Sequence, residues 1–194
     1  MDFSFTPEQQ EILDAVKDIC ADFKAKARQT DEAGEYPWEN VRVMAECDLF
    51  GIPVPEEYGG MGLGFLEWAA VAALLSQACT TTGAVYAAHM LAMYPSMAFG
   101  TEEQKRKYLP RLASGESIGA MGLTEPNVGS DAGAVQTRAE LRGDKYILNG
   151  TKIFITNGGD ADIYVVIANT QPDRGTRGLT AFILEKGYPG FSFG

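Results

Sequence analysis

The sequence predicts an α+β protein in which a helical domain precedes a β domain. Up to about Gly115, apolar residues recur with the 3.6-residue period of helices. Beyond that point, short β-branched and aromatic runs are separated by glycine-rich turns. Helices followed by strands, without alternation, indicate two stacked domains and not a doubly wound sheet. We therefore expect a helical domain over residues 1–116 and a β domain over residues 117–194.

The first domain should contain five helices. A capping box at Thr6–Gln9, with proline at the first helical position, opens the first, and the second covers about Pro37–Cys47. The third, Phe65–Cys79, is apolar nearly all round and is expected to be the central buried helix. The fourth covers about Thr82–Phe99, and a second capping box at Thr101–Gln104 opens the fifth.

Turn residues divide the second domain into short strands. The runs Tyr164–Ile167 and Leu179–Leu184 have the β-branched and aromatic composition of buried strands. Ser117–Met121 is a shorter apolar run of small residues that also indicates a strand.

Asn149-Gly150 predicts a tight hairpin turn, because both residues accept the positive φ of a type I′ turn. In a strand following it, side chains would alternate between the two faces. Ile153 and Ile155 would face the core, and Phe154 and Thr156 would be displayed on the opposite face.

The loop Gly122–Gly133 carries the densest group of candidate ligand-binding residues. Its glycines let the backbone approach a flat ligand, and its Thr, Ser and Asp side chains offer short donors and acceptors on a rigid turn. An ordinary turn at a strand end has a similar composition, so the loop alone does not decide the matter. Glu125 is expected to hold the loop by accepting backbone N–H bonds and not to act as a catalytic base.

Composition argues against several kinds of partner. The net charge of −10 and the lack of a basic stripe argue against nucleic acid and against an anionic membrane surface. No apolar run reaches the roughly 18 to 20 residues that span a bilayer. The start of the chain shows no basic or Arg/Ser-rich leader, so a cytoplasmic protein is expected.

Cysteine and histidine give little sign of chemistry. Cys20, Cys47 and Cys79 are far apart and lie among apolar helical residues, which predicts buried free thiols and no metal site. His89 is the only histidine. A role in helix packing is the simpler interpretation of its position.

Four stretches together resemble the hallmarks of the acyl-CoA dehydrogenase family, in that family's order: Pro55–Gly60, Phe99–Lys105, Gly122–Gly133 and Asn149–Gly159. The resemblance covers the whole chain. It implies that the second domain is an antiparallel, barrel-like middle domain. Two positions depart from the commoner pattern, since Val128 stands where a small residue is usual and Phe154 where many members carry Trp.

The resemblance implies FAD as cofactor and an acyl-CoA thioester as substrate. Reduced flavin carries negative charge near N1, which backbone N–H groups stabilise. Leu123 and Thr124 would take that role, Thr156 would bond near N5, and Phe154 would cover the ring. The full set implied for the cofactor is Met121, Leu123, Thr124, Gly129, Ser130, Phe154, Ile155 and Thr156.

Two groups of residues are implied for the acyl-CoA. Ser130 resembles the family residue that contacts this ligand, and Gly129 would allow close approach. On the fourth helix, Ala84, Ala87 and Leu91 would line the acyl pocket. Their helical spacing is equally consistent with plain helix packing.

The implied reaction removes the α-proton of the thioester with a glutamate while the β-hydride passes to flavin N5, a step of fatty acid metabolism. No residue matching that glutamate is present, so we expect no catalytic residue in this chain. The chain would be a piece of a longer polypeptide, or a subunit of an oligomer completed by a second chain. Electron-transferring flavoprotein is the implied electron acceptor. A flavin oxidase or monooxygenase of the same fold, and a non-catalytic half-chain that binds flavin or acyl-CoA, are the alternatives.

Overall fold

The computed structural model describes residues 4–194. Five α-helices come first: α1 Pro7–Ala33, α2 Trp38–Glu46, α3 Phe65–Ala78, α4 Thr80–Phe99 and α5 Glu102–Ala113. Both predicted capping boxes form, since Thr6 and Thr101 each exchange hydrogen bonds with the glutamine three residues later. Short 3₁₀ turns cover Leu49–Gly51, Glu56–Tyr58, Ala132–Ala134 and Pro172–Gly178.

The central buried helix is α4, and the expectation for α3 is wrong. Only Val71 and Leu75 of α3 are buried, and Phe65 and Leu66 are 47% and 60% exposed. Helix α4 instead contacts α1, α3, α5 and the sheet. An apolar surface all round a helix does not show which of its faces pack against other elements. Helix α3 packs mainly against α1 and α4, and its remaining surface is exposed.

A five-stranded sheet follows: β1 Gly119–Gly122, β2 Arg138–Arg142, β3 Lys145–Asn149, β4 Ile163–Asn169 and β5 Leu179–Glu185. Strand β4 is central, pairing with β5 along one edge and with β1 and the start of β2 along the other. Strands β2 and β3 form a hairpin across a two-residue loop.

The α+β class is confirmed, with one difference inside the sheet. Strand β4 runs parallel to β1 and β2 and antiparallel to β5, so the sheet is mixed where the resemblance implied an antiparallel one. The hairpin β2–β3 lies between β1 and β4 in sequence and acts as a crossover, which returns the chain to β1 in the same direction.

The strand expected after Asn149-Gly150 does not form. Asn149 is the last residue of β3, and residues 150–162 are irregular. Phe154 and Asn157 have φ of 55° and 65°, which are incompatible with an extended strand. The alternation of faces is partly kept, since Phe154 is exposed and Ile155 half-buried. Side-chain hydrogen bonds and isolated backbone bonds fix the segment, not a ladder.

The two halves of the chain share one core. A single buried cluster joins residues of α1 and α4 to β1 and β4, including Val16, Tyr86, Ala120 and Tyr164. His89 lies 1% exposed beside β1, in the packing role expected for it. Cys20 and Cys79 are buried, whereas Cys47 is exposed at the end of α2, contrary to expectation. Within residues 4–194, no helix combines the length and apolar character needed to cross a membrane.

Candidate functional site

The two segments singled out by the sequence meet at the carboxyl end of β1. We call residues 122–133 the first loop and residues 150–157 the second loop. The N–H of Ile153 donates to the carbonyl of Thr124 at 3.0 Å, and Lys152 Nζ donates to the carbonyl of Leu123 at 2.9 Å. Residues about thirty positions apart in sequence are thereby fixed side by side.

Glu125 holds the first loop in place. Its carboxylate accepts the N–H groups of Gln136 and Thr137 at 2.7 and 2.9 Å, the Thr137 hydroxyl, and Lys152 Nζ at 2.8 Å. Burial alone would raise the pKa of this carboxyl, but these hydrogen bonds outweigh it and lower the pKa to about 2. Glu125 is therefore charged at neutral pH and committed to the loop, as expected.

The first loop presents unpaired amide donors beside the second loop. Within the described residues, the N–H groups of Leu123 and Thr124 donate no hydrogen bond, and both residues are half-buried. Met121 lies two residues earlier in β1, also half-buried. Adjacent amide donors on a fixed strand end suit a group that develops negative charge, such as the pyrimidine edge of a reduced flavin.

The second loop carries an exposed aromatic ring on a residue whose backbone conformation is strained. Phe154 is 90% exposed and has a φ of 55°, a conformation that costs a non-glycine residue on the order of 1–2 kcal/mol. Thr156, two residues on, is exposed as well. Strained backbone carrying an exposed apolar side chain is typical of ligand sites, where bound ligand covers the side chain.

Asn157 ties the far end of the second loop to the core. Its side-chain amide donates to the carbonyls of Gly119 on β1 and Val85 on α4, at 3.0 and 3.2 Å. The side chain is only 5% exposed. The loop is thus anchored at both ends, by Lys152 and by Asn157, with Phe154 projecting between the anchors.

The rest of the first loop is open. Gly129 and Ser130 are exposed, and a Cβ at Gly129 would meet nothing within 4 Å. Gly133 packs against the 3₁₀ turn Pro172–Gly178, where an added Cβ would approach Thr176 to 2.7 Å. These residues leave space for a ligand at Ser130 while the end of the loop stays fixed.

The residues expected for the acyl pocket share the outward face of α4. Ala84 and Leu91 are exposed and Ala87 is half-buried, and Tyr94 continues the same face. The bond from Asn157 to Val85 links this part of α4 to the second loop. No described contact joins Ala84, Ala87 or Leu91 to either loop directly, so their role stays a prediction.

Sequence reasoning gave no role to Lys152, Thr137 or Asn157, which fix the site. One signal was available for Lys152, since a lysine beside the apolar run Ile153–Ile155 and a carboxylate in the other segment can form an ion pair. Residues 4–194 contain no cluster of His, Cys, Asp or Glu that could hold a metal ion.

Comparison with known families matches both halves of the chain. The model described as "Acyl-CoA dehydrogenase, N-terminal domain" matches residues 6–116, and that described as "Acyl-CoA dehydrogenase, middle domain" matches residues 120–194. The resemblance drawn from the sequence motifs is confirmed.

Individual relatives agree with the family models. The short-chain-specific acyl-CoA dehydrogenase of Clostridium acetobutylicum is 48% identical over 196 residues, covering 100% of this chain and 52% of the relative. The structure of butyryl-CoA dehydrogenase from Megasphaera elsdenii aligns with a TM-score of 0.94 and 40% identity, covering 99% of this chain and 52% of that chain.

A third match concerns the cofactor. The FAD complex of PigA aligns with a TM-score of 0.90 and 34% identity, covering 98% of this chain and 51% of that chain. A structural relative thus binds the cofactor that the sequence motifs imply. This chain spans about half the length of the relatives it matches. It belongs to the acyl-CoA dehydrogenase family of flavin-dependent oxidoreductases, and matches that family's N-terminal and middle domains.

Proposed function

We propose that the protein carrying this chain is an FAD-dependent acyl-CoA dehydrogenase, and that this chain supplies much of the flavin and acyl-CoA site. The observation that carries the proposal is the meeting of the two loops, which sets the unpaired N–H groups of Leu123 and Thr124 beside the exposed Phe154 and Thr156. FAD, when bound there, would supply the hydride acceptor that no amino-acid side chain provides.

Each residue then has a defined task. The N–H groups of Leu123 and Thr124 stabilise negative charge at the pyrimidine edge of the ring. The hydroxyl of Thr156 donates near N5, and the Phe154 ring covers the flavin and excludes water. Ile155 packs behind the loop, where it is half-buried. Ser130 contacts the acyl-CoA, and the face of α4 with Ala84, Ala87 and Leu91 lines the acyl chain.

The remaining parts of the proposal rest on the family. The α-proton is removed by a glutamate outside this chain, and residues 1–116 and 117–194 act as the helical and middle domains. Since a relative of 48% identity is specific for short chains, a short-chain acyl-CoA is the proposed substrate class. The proposed setting is a cytoplasmic oligomer that passes electrons to an electron-transferring flavoprotein.

A pair of threonines in the second loop tests the proposed site. Thr151 and Thr156 are both exposed and neither makes a described hydrogen bond, but only Thr156 is assigned to the flavin. In the full-length protein, Thr156→Val should weaken FAD binding by up to about tenfold, the contribution of one hydrogen bond. Thr151→Val should leave the FAD dissociation constant unchanged. Equal affinities in both variants, or a full-length protein that binds no FAD, would overturn the assignment.

A further inference from the structure

We propose that Lys152 is a positioning residue that sets the electrostatics of the flavin site through the peptide group joining Leu123 and Thr124. The proposal rests on the proposed function, because it concerns the same flavin edge. It adds a residue that contacts no ligand and acts through the backbone of the first loop.

The geometry is a two-part contact across the loops. Lys152 Nζ donates to the Leu123 carbonyl at 2.9 Å and to Glu125 Oε1 at 2.8 Å, and the next residue, Ile153, donates its N–H to the Thr124 carbonyl. Three successive residues, Leu123 to Glu125, are thus each held by Lys152 or Ile153. A shift of the second loop therefore moves the first loop with it.

Burial strengthens the electrostatic interactions of Lys152 and Glu125. The side chains of Lys152 and Glu125 are 11% and 4% exposed, so little water screens their charges. The other donors to Glu125 are neutral groups of Gln136 and Thr137, and Lys152 is its one ion-pair partner in the described part of the chain. Removing either charge leaves the other buried and uncompensated.

The carbonyl that Lys152 binds belongs to the peptide group whose N–H is the free donor of Thr124. A cation at the oxygen of a peptide group polarises its N–H and strengthens the hydrogen bond that this N–H donates. The ammonium group thereby adds positive potential at the place where reduced flavin carries negative charge. Lys152 should favour the reduced state of the flavin, and Glu125 should moderate the effect by balancing the charge.

Removing the positive charge of Lys152 and, separately, the negative charge of Glu125 distinguishes this electrostatic role from simple structural support. In the full-length protein, Lys152→Met removes the cation and should make the reduction potential of the flavin more negative. The FAD dissociation constant should rise on the order of tenfold, because the variant loses a residue that orients the groups in contact with FAD. Glu125→Gln removes the counter-charge, together with one oxygen that accepts a hydrogen bond from the loop, and should make the potential less negative. Lys152→Arg keeps the cation and should restore values close to the wild type.

Lys107→Met is the control, because it breaks another lysine–glutamate pair. That pair joins Lys107 on α5 to Glu185 on β5, the strand that pairs with the edge of β4 opposite to β1. The reduction potentials of the flavin are measured at saturating FAD, so that weaker FAD binding does not affect the comparison. The inference is overturned if Lys152→Met and Glu125→Gln shift the potential in the same direction, or if neither shifts it. Should Lys152→Met fail to fold, the sign of the Glu125→Gln shift alone decides. A wild-type protein without FAD would instead defeat the proposed function itself.

Discussion

His89 on α4 accepts a hydrogen bond at Nδ1 from the backbone N–H of Gly119 on β1, at 3.1 Å. Since Nδ1 is the acceptor, the proton is on Nε2, which donates to the carbonyl of Leu112 on α5 at 3.0 Å. One neutral imidazole therefore joins two helices to the first residue of β1, the strand whose other end carries the candidate site.

This bond predicts a pH dependence of stability. Burial lowers the pKa of His89 from 6.5 to about 4, so the folded protein binds fewer protons than the unfolded chain between these values. Stability contributed by the neutral ring is complete above pH 6.5 and is lost as the pH falls toward 4, by about 3 kcal/mol in all. Urea unfolding at several pH values between 7 and 4.5 measures the decline.

His89→Gln is the matched control for that decline, because an amide can donate and accept but does not titrate. The variant should show a much flatter profile over the same range. Acidic groups with lowered pKa values, such as Glu125, lose their contribution only below about pH 4.5. Identical slopes in wild type and His89→Gln would show that His89 does not cause the decline.

Asn157 should prove a main anchor of the second loop. Asn157→Gly accepts the φ of 65° but loses the bonds to Gly119 and Val85, which predicts a loss of about 1–3 kcal/mol in the free energy of unfolding. Asn157→Ala loses the same bonds and adds left-handed strain, which costs about 1 kcal/mol more. Chemical denaturation compares the two, and an alanine variant as stable as the glycine variant would contradict the strain argument.

Phe154 should be dispensable for folding and necessary for the cofactor. Phe154→Gly relieves the strain of a φ of 55° and removes a ring that is 90% exposed, so stability without ligand should be unchanged or higher by up to about 1 kcal/mol. FAD affinity should fall, because the flavin loses its aromatic cover. Phe154→Trp keeps an aromatic ring and should retain affinity. A glycine variant that binds FAD like the wild type would remove Phe154 from the site.

Substitutions at Gly83 and Gly129 should affect different properties, the first stability and the second ligand binding. An added Cβ at Gly83 would lie 2.2 Å from Ser76 Oγ and 2.6 Å from Ser76 Cα, so Gly83→Ala must push α3 from α4 at a cost of about 1–3 kcal/mol. At Gly129 the added methyl meets nothing, so folding should be unaffected while acyl-CoA affinity falls. Thermal unfolding and ligand titration of both variants test this, and a destabilised Gly129→Ala would show that the loop is packed.

Features of this structure that depend on residues close together in sequence could be predicted, and those that depend on distant residues could not. Capping boxes at Thr6 and Thr101 depend on residues three positions apart, and both helix starts could be read from the sequence. The burial of α4 in place of α3 depends on which faces meet distant partners, which a local pattern does not contain. The same holds for the second loop, where alternation predicts a strand but the distant carbonyls bound by Asn157 stabilise an irregular path.

The candidate site shows the same division. Motif residues such as Leu123, Thr124 and Phe154 could be picked out because their two segments together resemble a family pattern. The roles of Lys152 and Thr137, which hold these residues in place, depend on contacts between segments that are distant in sequence.

Anaerobic titration of the full-length protein with butyryl-CoA tests the central claim most directly. We expect the purified protein to show a flavin absorbance band, and butyryl-CoA to bleach it without any added reductant as the flavin takes up the hydride. Addition of an electron acceptor should restore the band. A flavin band that persists at saturating butyryl-CoA and other short-chain acyl-CoA thioesters, or a protein without flavin, would contradict the assignment of this chain to a flavin-dependent acyl-CoA dehydrogenase.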